Sequence, residues 1–155
     1  MNRTLYRILA RSVLHPFFRL SRGLTLGTRT LVRNADGKVL LVRHTYAPGW
    51  MFPGGGVERG EVAEDSATRE VYEEAGIRLE EPLRLFGLYS NNTKFPGDHV
   101  ALYLAETGAE AEARPQLEIA ECGFFATDAL PPETTEGTRR RIAEVLDGRR
   151  PAAHW

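Results

Sequence analysis

The stretch from Gly54 to Ile77, GGGVERGEVAEDSATREVYEEAGI, limits the folds open to this chain more than any other. It opens with three successive glycines, whose backbone can approach a ligand closely, and then carries seven acidic residues against two arginines. EDSATREVYEEAG reads as a helix that stops at Gly76. On that helix Glu70, Glu73 and Glu74 stand at i, i+3 and i+4 and share one face. Ala63, Ala67, Val71 and Ala75 recur every fourth residue and give an adjoining stripe of small apolar contacts. That stripe can seat the helix closely on a sheet while the carboxylates face a cleft.

The rest of the chain supplies the sheet. TLGTRTLVR and KVLLVRH are β-rich runs separated by Asn34-Ala35-Asp36-Gly37, whose Asp-Gly end is a hairpin signal. PLRLFGLYS, HVALYLAE and IAECGFFA also read as strands, with EARPQ as a loop before the last. PPETTEGTRRRIAEVLDG reads as a further helix, with Pro131 and Pro132 at its start and Gly148 past its end. The order β-β-α-β-β-β-α predicts an α/β protein, a mixed sheet with helices packed on it. A length of 155 residues fits one domain with a real core.

Composition excludes several classes. A formal net charge of −1 gives no bulk attraction to nucleic acid, and none is expected as a partner. The single cysteine, Cys122, excludes an intrachain disulfide and any multi-cysteine zinc site. It is expected to pack as a small apolar residue, and it fits a reducing, cytoplasmic location. No apolar run approaches the roughly 20 residues needed to span a bilayer. His15, His44, His99 and His154 show no metal-ligand spacing.

Three carboxylates on one helix face repel one another. Either they form a solvated acidic face or they hold a cation, and oxygen donors of this kind are what Mg²⁺ or Mn²⁺ prefer. The adjoining glycine loop favours the second reading. It lacks the G-K-[ST] ending of a P-loop, so that alternative fails. Arg69, four residues before Glu73, can neutralise or orient it.

Loop and helix fall in one pattern: Gly55, five residues, Glu61, seven residues, then Arg69, Glu70, Val71, Glu73, Glu74, Gly76 and Ile77. Every fixed position of the Nudix hydrolase signature is filled, and the chain resembles that family. The resemblance implies an α/β/α sandwich with a mixed β-sheet, here a domain of residues 23–155. It implies a metal-dependent pyrophosphohydrolase cleaving a phosphoanhydride of a nucleoside diphosphate linked to another group. The implied cofactor is Mg²⁺ or Mn²⁺, and the implied partner a small nucleotide-type substrate.

Carried over residue by residue, the resemblance makes Glu70, Glu73 and Glu74 metal ligands, with the Gly54 carbonyl completing the site. Arg69 becomes an orienting partner, and Glu61 either a brace between loop and helix or a catalytic group. Family members differ over the base that takes the proton from the attacking water. Some use a glutamate of the signature helix, which here means residues such as Glu70 and Glu73, and others use a later one. Glu118, six residues before Phe124, matches the later position, against the alternative of an exposed loop carboxylate. Glu121 is expected to face solvent. A catalytically inactive Nudix-fold ligand-binding or sensor module is the other reading, yet such a module would be expected to lose a helix glutamate or Arg69. RNA end-processing finds little support, because the basic patch is confined to residues 1–22.

Substrate determinants are thinner. Trp50, Met51 and Phe52 precede the glycine loop and either pack in the core or line the cleft. Arg43, His44 and Tyr46 end the second strand and either contact phosphate or form ordinary surface, and Asn91, Asn92, Thr93, Lys94 and His99 belong to a polar turn that could border the site. Residues 1–22 form a basic arm with five arginines and no acid. Leu5, Ile8, Leu9, Ser12 and Val13 follow helical spacing, which predicts an N-terminal amphipathic helix that Pro16 ends or kinks. Packing on its own domain or across a homodimer is expected over an anionic membrane surface. The arm lacks the apolar region and cleavage site of a targeting peptide.

Overall fold

The computed structural model describes residues 23–80, 82–108, 112–116 and 118–155. The predicted amphipathic helix of the arm lies outside the described residues. Strands β1 (Thr25–Arg33) and β2 (Val39–His44) lead to helix α1 (Ala63–Ala75), followed by β3 (Arg84–Ser90), β4 (Asp98–Glu106), β5 (Ile119–Phe125) and helix α2 (Glu136–Leu146). This is the order predicted from the sequence.

The five strands form one sheet in the order β3-β4-β1-β2-β5. β1 and β4 run parallel from Thr25↔Asp98 to Arg33↔Glu106, while the other neighbours are antiparallel. The β1–β2 hairpin turns where Asp36-Gly37 predicts it. Gly37 takes φ 76°, its N–H donates to the Asn34 carbonyl at 2.9 Å, and Asn34 Oδ1 accepts the Lys38 N–H at 2.9 Å.

Alternation along the strands sorts side chains into two layers. Val32, Leu40 and Val42 meet Val71, Ala75 and Ile77 on the α1 face, with Cys122 at the edge of that cluster. Leu31, Val39 and Leu41 meet Phe52, Tyr89, Leu102 and Ile142 on the α2 face. The run Val39–Val42 is fully buried because both faces of its strand are covered. The result is an α/β/α sandwich with a mixed sheet. Burial pushes the Cys122 thiol up to about 11, in keeping with a packing role.

The predicted stripe is the seat of α1: Ala67, Val71 and Ala75 are all 0% exposed. Gly76 ends the helix in the left-handed region (φ 70°) and donates its N–H to the Tyr72 carbonyl at 2.8 Å. The second helix starts later than the prolines predict. Pro131 and Pro132 lie in the preceding turn, where the Pro131 carbonyl accepts the Thr134 N–H at 3.0 Å, and Thr135 caps the helix through Thr138. Pro132 disfavours helical backbone at Pro131, so a hydroxyl residue takes the cap instead. Among the described residues no helix is long and apolar enough to cross a membrane.

Candidate active site

The glycine loop is tied to β1 before it reaches the helix. Thr30 N–H donates to the Pro53 carbonyl at 2.9 Å and Thr28 N–H to the Gly55 carbonyl at 2.8 Å. Gly54 has φ 148°, and a Cβ there would stand 2.0 Å from the Thr28 carbonyl oxygen. Only glycine fits. At Gly55 an added Cβ would meet Glu70 Oε1 at 2.5 Å, so the loop passes directly against the acidic face of α1. Arg29, half-buried on β1, donates through Nη1 to the carbonyls of Phe52 (2.9 Å) and Gly54 (2.8 Å). The Gly54 carbonyl retains a second lone pair.

The helix carboxylates divide between two partners. Glu74 turns inward, where Oε2 accepts the Gly54 N–H at 3.0 Å and Oε1 lies 3.3 Å from His44 Nε2. Burial pushes the Glu74 carboxyl up to about 7, against the pull of the Gly54 N–H and Arg29. Burial, reinforced by Arg29, also holds the His44 imidazole below its ordinary range, so the contact joins Glu74 to a ring that resists protonation. Glu70 and Glu73 turn instead to Arg69, whose Nη1 donates to Glu70 Oε1 at 2.7 Å and to Glu73 Oε2 at 2.9 Å. The same guanidinium reaches Glu61 through Nε at 2.8 Å and Nη2 at 3.2 Å. Glu61 in turn accepts the Glu58 N–H at 2.9 Å, and these hydrogen bonds hold its carboxyl down at about 2.

Arg69 therefore gathers three carboxylates, and among the described residues no group of three or more acidic, histidine or cysteine side chains stands arranged to hold a metal ion. Glu70 and Glu73 face the guanidinium and Glu74 the Gly54 N–H. Glu70, Glu73 and Glu74 nevertheless line one lobe with the Gly54 backbone, and carboxylate oxygens are hard donors of the kind that suits Mg²⁺ or Mn²⁺.

The cleft has two lobes that share Tyr46, Gly54 and Gly55. The acidic lobe, about 410 Å³, is lined by Glu70, Glu73 and Glu74 and faced by Gln116 and Glu118. Glu118 precedes β5, is exposed, and has its carbonyl fixed by the Thr45 N–H at 2.9 Å. The second lobe, about 450 Å³, runs past Arg29 and His44 to Lys94 and Phe95. Both volumes suit a small ligand.

Other sequence candidates separate. Phe52 is core and Trp50 packs edge-on to Phe125 at 4.9 Å, while Met51 reaches the second lobe. Arg43 is held by Glu121, which is exposed as expected. Asn91 and Lys94 border the second lobe, whereas Asn92 is used within its own turn, accepting the Gly97 N–H at 2.9 Å. Sequence reasoning missed Arg29, which pairing with β4 and the loop places under Gly54. It also missed the contact between His44 and Glu74, 30 positions apart, which no local spacing signals.

Comparison with known proteins agrees with this architecture. The NUDIX domain model matches residues 23–146. A Bacillus subtilis (strain 168) protein provisionally named an 8-oxo-dGTP diphosphatase is 31% identical over 124 residues, covering 80% of this chain and 81% of that protein. The crystal structure of a MutT NUDIX hydrolase from Burkholderia pseudomallei superposes with a TM-score of 0.67 at 30% identity, over 78% of this chain and 97% of that one. An ADP-ribose pyrophosphatase from Streptococcus suis 89-1591 gives a TM-score of 0.63 at 27% identity, over 84% of this chain and 95% of that one. The chain belongs to the Nudix hydrolases, which act on diphosphate bonds.

Proposed function

We propose that this enzyme is a divalent-metal-dependent pyrophosphohydrolase of a small nucleotide derivative. The observation that carries the reading is the acidic lobe, where Glu70, Glu73 and Glu74 line the same space as the Gly54–Gly55 backbone. These three side chains and the Gly54 carbonyl would hold Mg²⁺ or Mn²⁺. When bound, such a cation screens phosphate oxygens and acidifies the attacking water.

The chain's own groups then have distinct tasks. Arg69 orients Glu70 and Glu73 and, through Glu61, locks the loop to the helix. Glu118 stands across the acidic lobe as a candidate base for the water proton, with Glu70 and Glu73 the alternatives on the helix. The water oxygen bonds to phosphorus, the bridging P–O bond breaks, and the leaving phosphate carries away the electron pair. Arg29 and Lys94 bring positive charge to the second lobe, in keeping with an anionic substrate. The named activities of the two relatives, on 8-oxo-dGTP and on ADP-ribose, support a nucleoside diphosphate derivative. A ligand-binding module without catalysis is disfavoured, since Arg69 and all helix glutamates are present.

The test is a nucleotide panel of triphosphates, ADP-ribose, nucleotide sugars and dinucleoside polyphosphates, assayed with Mg²⁺ and Mn²⁺. EDTA should abolish turnover and either metal restore it. Full activity after thorough chelation would refute the reading.

A further inference from the structure

The second lobe carries more aromatic surface than a diphosphate needs. Tyr46 is 68% exposed and Phe95 63% exposed beside it, and Trp155 forms part of its wall. Trp155 arrives on residues 151–155, which run beside the end of β3. The Ser90 N–H donates to the Ala153 carbonyl at 2.9 Å, and the Trp155 N–H to the Ser90 carbonyl at 3.0 Å.

The indole is fixed from several sides. Tyr89 meets it edge-on with ring centres 5.4 Å apart, and the Arg141 guanidinium stands 5.5 Å from its centre and 4.5 Å from that of Tyr89. Arg141, 1% exposed, pairs with Glu144 at 2.8 Å and donates to the His154 carbonyl at 3.1 Å. Glu144 also accepts the Tyr89 hydroxyl at 3.0 Å. Gly137 makes the space, because a Cβ there would stand 2.5 Å from Trp155 Nε1. One indole is thus anchored by a buried ion pair, an aromatic edge and a glycine, yet it is only partly buried and lines the lobe. His44 lines the same lobe, is 7% exposed, and has no partner for Nδ1 among the described residues, a polar group still able to serve a ligand.

We infer that Trp155 is a specificity-determining residue whose indole packs against the planar heteroaromatic group of the substrate, while the diphosphate crosses Gly54–Gly55 to the glutamates. This rests on the nucleotide-hydrolase reading above and adds the side chain that senses the base. A phosphate chain gains little from aromatic walls, whereas a base stacked on one gains affinity by about five- to a hundredfold.

Wild-type turnover on the nucleotide panel tests the parent reading by itself, and no turnover at all would overturn that reading first. On a nucleotide that is turned over, Trp155→Ala should raise KM about tenfold with kcat within about threefold, and Trp155→Phe should restore most of the affinity and the melting temperature. A binding readout stands apart from catalysis. The chain has two tryptophans, so in a Trp50→Phe background Trp155 is the sole indole. Its emission should respond to ADP and stay unchanged with inorganic pyrophosphate, each at a concentration that inhibits turnover. A folded Trp155→Ala protein with wild-type KM, or an emission that ADP leaves unchanged or that both ligands alter equally, would overturn the inference. Should Trp155→Ala fail to fold, the emission measurement decides.

Discussion

Arg69 and Glu61 meet through two hydrogen bonds, Nε to Oε1 at 2.8 Å and Nη2 to Oε2 at 3.2 Å. This paired contact leaves Nη1 free to serve Glu70 and Glu73 at once. A lysine ammonium has no planar fork and cannot reproduce the set. Arg69→Lys should lower stability by about 1–2 kcal/mol and kcat/KM by about tenfold or more. Melting curves and steady-state kinetics would show it, and near-wild-type values in both would contradict the orienting role.

The same contact sets an acid limit. Glu61 drops from an ordinary 4.5 to about 2 in the folded protein, so the unfolded chain binds its proton first as pH falls. Its stabilising contribution is complete above pH 4.5 and is lost as pH falls through 2. Melting temperature measured across that window should fall more steeply for the wild type than for Glu61→Gln. At neutral pH Glu61→Gln should melt lower. Parallel profiles would exclude Glu61 as a source of the acid sensitivity.

Gly54 and Gly55 should respond differently to alanine. At Gly54 the new Cβ would meet backbone, 2.0 Å from the Thr28 carbonyl oxygen, and Gly54→Ala should cost about 3 kcal/mol or more, or prevent folding. At Gly55 the obstacle is the carboxylate end of the Glu70 side chain, 2.5 Å away, which can swing aside by giving up its bond to Arg69. Gly55→Ala should fold with a loss of about 1 kcal/mol but lose most turnover, because Glu70 leaves its place. Equal stability losses in the two variants would contradict this.

Glu74→Gln separates fold from metal binding. A glutamine oxygen can still accept the Gly54 N–H, and an amide avoids the desolvation that raises the carboxyl, so metal-free stability should hold or rise. Mn²⁺ at a hundred times its Kd should stabilise the wild type by about 2.7 kcal/mol and the variant far less. Thermal melts with and without Mn²⁺ make the comparison. An equal gain in both would remove Glu74 from the ligand set.

Deleting residues 1–22 should leave metal-dependent turnover in place, since the family match begins at residue 23 and β1 at Thr25. Stability, solubility or oligomeric mass should change instead. Light scattering, melting and kinetics on the truncated protein would test this, with lost turnover in a folded protein as the contrary result.

Local periodicity made much of this legible in advance. Small residues every fourth position announced the buried side of α1, and the β-rich runs announced five strands, because both patterns are properties of neighbouring residues. The Nudix pattern marked Glu70, Glu73, Glu74 and Arg69 for the same reason. Arg29 and His44 reach the loop only through sheet register, which no local run records. Trp155 was equally hidden, because its place depends on hydrogen bonds to Ser90, far back in the chain. Pro131 and Pro132 misled by one turn, since a helix start set by Thr135 outranked their preference for a first helical position.

The parallel pairing of β1 with β4 also bears on how the protein comes into being. Thr25 and Asp98 sit side by side across 73 positions of sequence, so no hairpin can form this inner pair of the sheet. Closing so long a loop costs entropy before any contact offsets it, which slows folding. The glycine loop and the glutamate helix both lie inside that loop, and Thr30 and Thr28 on β1 hold Pro53 and Gly55 in place. During synthesis β1 therefore waits for β4 to take its place beside it, and the acidic lobe gains its last wall later still, when Gln116 and Glu118 follow.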